Sequence, residues 1–189
     1  MSRWLWPKKS RRLGPRAGVV SLDDFYRDLA HLPMAQRGKA NFDHPDAIDW
    51  PLFAKCLKLL RSGEKALLPR YDFASHTRHA RPRVWRPRPI VLIDGLWLLR
   101  RAELRRIYEI AVFVSAPEAL RLARRVDRDQ RERGRSRASV LAQWRGHVKP
   151  MHDRFVAPQK RLANMVVEPD TADTRLAELA ERLKSMTHD

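Results

Sequence analysis

Two short apolar runs in the chain end in acids. Val19-Val20-Ser21-Leu22 runs into Asp23-Asp24, and Ile90-Val91-Leu92-Ile93 runs into Asp94-Gly95. A carboxylate at the end of a buried strand can accept a proton from a substrate hydroxyl, or hold Mg2+ through water. For the first pair a plainer use competes, since Asp24 also suits the cap of a turn beginning at Phe25. Asn41-Phe42-Asp43-His44-Pro45-Asp46-Ala47-Ile48-Asp49 gathers three acids and a histidine into nine residues. A carboxylate accepts two hydrogen bonds from a sugar diol, so Asp43 suits ribose, whereas Asp49 is better placed to cap the helix that follows.

Tyr71-Asp72-Phe73-Ala74-Ser75-His76-Thr77-Arg78 sets two aromatics and a histidine on a short hairpin. Aromatic faces stack on a base and a histidine donates or accepts at a base carbonyl; the same residues can also simply pack the hairpin. Further on, Arg121, Arg124, Arg125 and Arg128 share one helix face by their i+3 and i+4 spacing, and Arg131, Arg133, Arg135 and Arg137 extend the run. Like charges on one face repel unless phosphate or acids neutralise them, and Asp127, Asp129 and Glu132 do so in part. An arginine-rich lid over a polyphosphate has this pattern, and so does a solvated basic face.

The elements that must position these groups follow from periodicity. Continuous β-branched runs predict buried strands over 19–22, 90–93, 110–114 and 165–167. Apolar residues Leu52, Phe53, Cys56, Leu57 and Leu60 make one stripe of a helix over 50–62, capped by Asp49 and stopped by Gly63. A turn of helix is expected near 26–30, a helix over 103–109, and a long one over 118–131 with Leu120, Ala123 and Val126 facing inward. Separate helices are expected over 139–147 and 150–163, with an amphipathic closing helix over 174–186. Residues 66–71 and 83–86 read as the two arms of one hairpin. Strands alternating with helices imply a three-layer α/β domain with a mostly parallel sheet over 19–189, preceded by a basic segment over 1–18.

Composition bounds the function classes. The 189 residues carry 30 arginines against nine lysines and a formal charge of +17. Arginine's planar fork matches phosphate oxygens two at a time, so nucleic acid and nucleotide are both candidate partners. The arginines are spread along the chain and not gathered in one tail, which argues against nucleic acid. The longest apolar run, 90–99, is broken by Asp94 and falls far short of the roughly 20 residues that span a bilayer, so no membrane partner is expected. Residues 3–16 are basic without the apolar stretch of a signal peptide. Cys56 is alone, which excludes an internal disulfide and a cysteine-based zinc site. A cytoplasmic location is the resulting expectation.

Taken in order, these segments resemble the uridine kinase family. The resemblance rests on Asp-Asp-Phe-Tyr-Arg after a strand (23–27), Asn-Phe-Asp-His-Pro-Asp-Ala (41–47), Tyr-Asp-Phe-x-x-His-x-Arg (71–78) and Arg-Arg-x-x-Arg-Asp-x-x-x-Arg-Gly-Arg (124–135). Val148-Lys149-Pro150, then Phe155 to Pro158 and Lys160, extend the match over about residues 19–168. The resemblance implies a P-loop kinase-like domain with a small β-hairpin and a helical lid. It implies transfer of the γ-phosphate of ATP or GTP, with Mg2+, to the 5′-hydroxyl of uridine or cytidine, and a homo-oligomer. Carried across residue by residue, Asp23 is the base for the 5′-hydroxyl, Asp43 holds ribose, and Tyr71 and His76 contact the pyrimidine. Arg125, Arg135 and Gln143 add nucleoside contacts, Arg128 and Arg133 lie in the lid near the phosphates, and Asp94 stands near Mg2+.

The chain departs from that family at one motif. Its kinases open with a strand, a glycine-rich loop ending Gly-Lys-Ser/Thr, and a helix, and no G-x-x-x-x-G-K-[ST] occurs in the 189 residues. Lys8-Lys9-Ser10 lacks the glycines, and 13–18 resembles the family's approach to its second strand. The expectation is therefore a chain that starts inside the first helix, without the first strand or P-loop. That strand would lie between those near Ile90 and Ile110, and its loss would leave backbone groups unpaired. Three readings follow: a piece of a working pyrimidine nucleoside kinase whose upstream DNA encodes the motif, a nucleoside-binding pseudokinase impaired in transfer, or a basic nucleic-acid-binding remnant.

Overall fold

The computed structural model describes residues 16–186, so most of the basic segment over 1–18 lies outside the described residues. β1 (Ala17–Ser21) lies parallel to β6 (Ile90–Asp94), in register from Ala17 opposite Ile90 to Ser21 opposite Asp94. β7 (Val112–Val114) lies parallel to β8 (Met165–Val167). Parallel pairing needs covering on both faces, which is why these strands read as unbroken apolar runs. Among the described residues the parallel strands form these two pairs, and no strand joins β6 to β7.

The main core lies beside β1 and holds Val20, Leu22, Phe25, Ile48, Phe53, Trp97 and Leu104. α2 (Trp50–Arg61), which follows the four-residue α1 (Met34–Arg37), supplies its largest face. The Leu52 N–H donates to the Asp49 carboxylate at 3.1 Å, and Trp50, Phe53, Cys56, Leu57 and Leu60 are buried, as the stripe predicts. Burying each large apolar side chain is worth about 2 kcal/mol. α7 (Ala172–Ser185) covers β8 through Leu176 and Leu179 against Val167. Among the described residues no helix is long and apolar enough to cross a membrane.

Several elements differ from the expectation. The region near 26–30 forms no helix: Tyr26 is extended and bridges Ile48, and the helical turn comes later, at α1. The single hairpin divides into two short ladders. β2 (Ala66–Leu68) pairs antiparallel with β5 (Arg83–Trp85), and β3 (Tyr71–Asp72) with β4 (Thr77–Arg78). Pro69 and Pro82 stand between the ladders, and proline has no N–H to donate. α3 (Ala102–Arg105) is shorter than the expected 103–109; its end closes through Ile107 N–H to the Leu104 carbonyl, and Arg61 of α2 takes the Arg106 carbonyl.

α4 (Glu118–Arg133) ends at Gly134 in the left-handed region, φ 61°, its N–H on the Asp129 carbonyl. Its inward face is not the expected one. Ala123 is exposed, and the buried residues are Arg121 and Asp129. The two helices expected after it are one run. α5 (Arg137–Gln143) passes through wide π turns at Trp144–Val148 and His152–Val156, which flank α6 (Lys149–Met151), and ends in a 3-10 stretch, Ala157–Leu162. Pro150 cannot donate within a helix, and widened turns absorb the missing bond without ending the run.

Arg78 fastens the inner hairpin to the core. Its guanidinium donates to the carbonyls of Tyr26 at 2.9 Å and Phe25 at 3.3 Å, and twice to the Asp49 carboxylate at 3.2 Å. Arg78→Ala removes every one of these bonds and leaves Asp49 half-buried without its counter-charge. The expected loss is about 2–4 kcal/mol, seen as a lower urea midpoint with an unchanged slope.

Candidate functional site

The shared register of β1 and β6 brings their acidic ends to one edge, because Ser21 and Asp94 are partners. The chain leaves β1 through a 3-10 turn, Leu22–Phe25, where the Ser21 hydroxyl accepts from the Asp23 N–H at 3.3 Å. Gly95 is needed here: a Cβ on it would stand 2.4 Å from the Leu22 Cβ, so only glycine lets the two strand ends lie this close. Asp23 and Asp94 thus reach the carboxyl edge of the parallel pair, where ligands sit in open α/β sheets.

Tyr26 is the hub of the next layer. Its ring is 5.6 Å from Phe42, 5.3 Å from Tyr71 and 6.3 Å from Phe73, and its hydroxyl donates to the Phe42 carbonyl at 3.1 Å. Burial drives its phenol far above the usual range, and the carboxylates of Asp23 and Asp43 push it the same way. The two acids named from sequence therefore both act on one buried ring. Tyr71 is buried, its hydroxyl has no hydrogen-bond partner, and burial pushes its phenol up to about 12. His76 adopts a left-handed backbone, φ 55°, uncommon for a residue with a side chain, and stacks on Phe42 at 4.6 Å. Such a conformation persists where the surroundings hold it, here the stack and the hydrogen-bonded Asp72-Ser75-Thr77 turn.

The basic cluster is organised by a residue that sequence treats only as partial compensation. Asp129 is fully buried in α4. Arg128 donates to it at 2.7 and 2.9 Å, and Arg125, Arg133 and Arg135 stand at 3.6, 3.6 and 3.7 Å. Burial alone would raise the Asp129 carboxyl, but the Arg128 hydrogen bonds and the charges of Arg128, Arg125 and Arg133 outweigh it and hold the group below the usual range. Burial in turn holds the Arg125 guanidinium below its ordinary value, against the pull of Asp129 and Asp43. Arg125 and Arg135 both donate to the Gln143 side-chain carbonyl, at 3.0 and 2.7 Å. The three residues that the resemblance groups as nucleoside contacts thus meet at one oxygen, joining α4 to α5. Arg128 and Arg133, expected near phosphate, lie against Asp129.

A cleft of about 300 Å³ opens between α4, the helical run after it and the 41–49 loop. Arg121, Arg124, Arg125 and Arg128 all line it, so the shared face read from their spacing points into a cavity. Asp43 lines it too and, acting on both Tyr26 and Arg125, links the aromatic layer to the arginine layer. Trp97, Trp144 and Met151 form an apolar wall that sequence reasoning missed. Gln159, also missed, is buried and fixes the loop after β6 by donating to Leu96 and accepting from Leu99, each at 2.8 Å. Among the described residues no three His, Cys, Asp or Glu side chains gather as a metal cage.

Residues 9–174 match the sequence profile described as the Phosphoribulokinase / Uridine kinase family. The chain is 37% identical over 186 residues to a uridine kinase of Tolumonas auensis, covering 98% of this chain and 86% of that one. It is 42% identical over 151 residues to a uridine kinase of Chloroflexus aurantiacus, covering 80% and 72%. Among solved structures, a putative fructose transport system kinase from Silicibacter sp. TM1040 superposes with a TM-score of 0.65 at 22% identity, covering 80% of this chain and 74% of that one. The phosphoribulokinase of Rhodobacter spheroides gives 0.62 at 13% identity, covering 86% and 63%. These structures share the P-loop kinase-like α/β fold.

Asp129→Asn keeps the shape and removes the charge, so four arginines lose their common partner. The expected cost is about 3–5 kcal/mol at neutral pH by chemical denaturation. Because the folded carboxyl sits below its unfolded value, this stability is present above about pH 4 and is lost as pH falls through the folded value. The gap between wild type and Asp129→Asn must therefore narrow below about pH 4; a gap that stays constant there would refute the assignment.

Proposed function

Because the chain belongs to the phosphoribulokinase/uridine kinase family, we propose that it acts as a pyrimidine nucleoside kinase whose described residues form the half of the site that receives uridine or cytidine. The observation that carries this reading is Asp43, which stands between two preassembled layers, the Tyr26–Tyr71–His76 aromatics and the Arg125–Arg135–Gln143 cluster. A ribose diol on the Asp43 carboxylate would leave the base against Tyr71 and His76. The unpartnered Tyr71 hydroxyl then gains an acceptor on the base. Asp23 at the strand edge takes the proton of the 5′-hydroxyl, raising its nucleophilicity toward the incoming phosphoryl group. Arg125 and Gln143, already fixed to each other, hold the nucleoside without further ordering.

ATP or GTP would supply the phosphoryl group, and Mg2+ would neutralise charge developing on it, with Asp94 holding the cation through water and Arg128 and Arg133, held on Asp129, offering their remaining N–H groups to the phosphates. A second reading is favoured by one sequence observation, that the 189 residues contain no G-x-x-x-x-G-K-[ST]. By themselves these residues would bind nucleoside without transferring phosphate. Labelled ATP incubated with uridine and the purified chain then yields no UMP; turnover would remove this second reading and leave the first.

The nucleoside site is tested by calorimetry with uridine. Asp43→Asn is expected to weaken binding about 10- to 100-fold, the worth of hydrogen bonds to a charged group. Tyr71→Phe is expected to leave stability within about 0.5 kcal/mol, since the free protein offers the hydroxyl no partner, yet to weaken uridine about 5- to 10-fold. No measurable uridine binding by the wild-type chain would sink the proposal.

A further inference from the structure

The outer ladder of the hairpin region, β2 with β5, presents a face that no other described element covers. Strand alternation puts Ala66, Leu68 and Trp85 on one face, where they are buried, and Leu67 and Val84 on the other. Leu67 and Val84 stand directly opposite each other, 58% and 59% exposed. A single exposed aliphatic residue is ordinary, but an apolar cross-strand pair left in water forgoes the packing that such pairs contribute to a sheet. The edge beside it is open as well. Among the described residues β5 has β2 as its one strand neighbour, and no other group bonds the backbone of Arg83–Trp85. An open edge is a template for another strand. Pro82 and Pro87 have no N–H to extend the pairing, which confines it to the residues between them.

The charge around this face is of one sign. Lys65, Arg70, Arg81, Arg83 and Arg86 are all exposed, and none has an ion pair or a side-chain hydrogen bond with a described residue. Arg78 and Arg88, from the same stretch, are instead bonded to carbonyls of Tyr26, Phe25 and Ala17. Continuing the register of the ladder by one residue sets Lys65 against Arg86, like charges where opposite ones stabilise. Asp72, the one acid between Lys65 and Pro89, is occupied within its own turn by Ser75 and the Ala74 N–H. Glu64, at the foot of the first arm, pairs with none of the five cations.

We propose that this face and edge dock an acidic segment of a partner protein. The segment adds as a third strand beside β5, sets apolar side chains on Leu67 and Val84, and places carboxylates among the cations. Four of the five cations are arginine, whose fork takes a carboxylate at both oxygens. Other occupants fit this surface less well. Trp85, the one aromatic in the ladder, is buried, so the face offers no ring for stacking on nucleic-acid bases and no aromatic anchor for a membrane interface. A second copy related by a two-fold axis would set cations against cations. The inference is independent of the nucleoside site and stands without it.

Fluorescence anisotropy with a labelled peptide of alternating glutamate and valine, added to the intact chain, tests the surface. Binding is expected, and it is expected to weaken as salt rises. The double substitution Arg83→Glu with Arg86→Glu is expected to weaken it about 10- to 100-fold, the worth of hydrogen bonds between charged groups. Both arginines are exposed and unpartnered, so the urea midpoint of that variant should stay at the wild-type value. Leu67→Thr with Val84→Thr keeps residues that suit a strand and is expected to cost about 5- to 10-fold in affinity through lost apolar contact. On the unaltered protein, saturating peptide is expected to slow hydrogen exchange of at least one amide within Arg83–Trp85. A peptide of alternating lysine and valine should not bind. No binding of the glutamate–valine peptide, equal binding by all variants, or unchanged exchange at 83–85 would each overturn the proposal. Oligoadenylate or phosphatidylglycerol vesicles bound more tightly than the peptide, with that binding lost in Arg83→Glu/Arg86→Glu, would reject it in favour of nucleic acid or membrane. Self-association lost in the same variant would reject it in favour of a second copy.

Discussion

A carboxylate with no access to solvent holds four arginines together in this protein, and much of the site's geometry depends on it. Asp129 lies four residues after Arg125 and four before Arg133, so both reach it along the helix, while the turn at Gly134 brings Arg135 back from beyond the helix end. The same residue's backbone carbonyl accepts from Gly134 and Arg135, so the helix end and the charge cluster are one structure. Replacing a buried ion pair with apolar groups often costs little, but removing one partner from such a cluster leaves the others uncompensated. With a formal charge of +17, the chain has few anions to spare for this role. The arginine–glutamine junction that ties α4 to α5 follows from it, because Arg125 and Arg135 are aimed at Gln143 only while Asp129 restrains them.

The second constraint is the parallel register of β1 and β6. A shift of one residue would turn Val20 out of the core and carry Asp23 away from Tyr26. Gly95 against Leu22 and the buried Gln159, which bonds both sides of the loop after β6, fix where each strand stops. Asp23 and Asp94 are therefore set by packing of apolar and amide groups that do no chemistry. That division suits catalysis by positioning, where small displacements of the reacting groups are costly.

Much of the fold was legible because its apolar patterns are unbroken. The strands near 19–22, 90–93 and 165–167 and the capped helix from Trp50 lie within a few residues of their expected places. Proline explains two of the differences: Pro69 and Pro82 divide the hairpin, and Pro150 widens a helix that local rules would end. The inward face of α4 was misread because an apolar stripe was sought where the buried residues are Arg121 and Asp129. Charged residues are almost never fully buried unless paired, so no hydrophobicity pattern finds them. A signal for Asp129 did exist in its symmetric i−4 and i+4 arginine neighbours. None existed for Arg121, whose burial depends on Trp144 approaching from another helix.

The excess of arginine over lysine has a structural explanation that bears on function. Arg37 donates to the carbonyls of Ala30, Leu32 and Ser75, tying a loop without regular structure to the hairpin. Arg105 takes two carbonyls after β6, and Arg78 two more beside Asp49. Each uses a planar fork that lysine lacks. The described lysines with ion pairs, Lys149, Lys160 and Lys184, instead bridge partly exposed carboxylates. Part of the positive charge thus works as bonds to backbone carbonyls, Arg27, Arg61 and Arg88 adding to these three. Arg121, Arg124, Arg125 and Arg128 instead converge on the cleft between α4 and the loop bearing Asp43, where their charge faces a cavity and not the backbone.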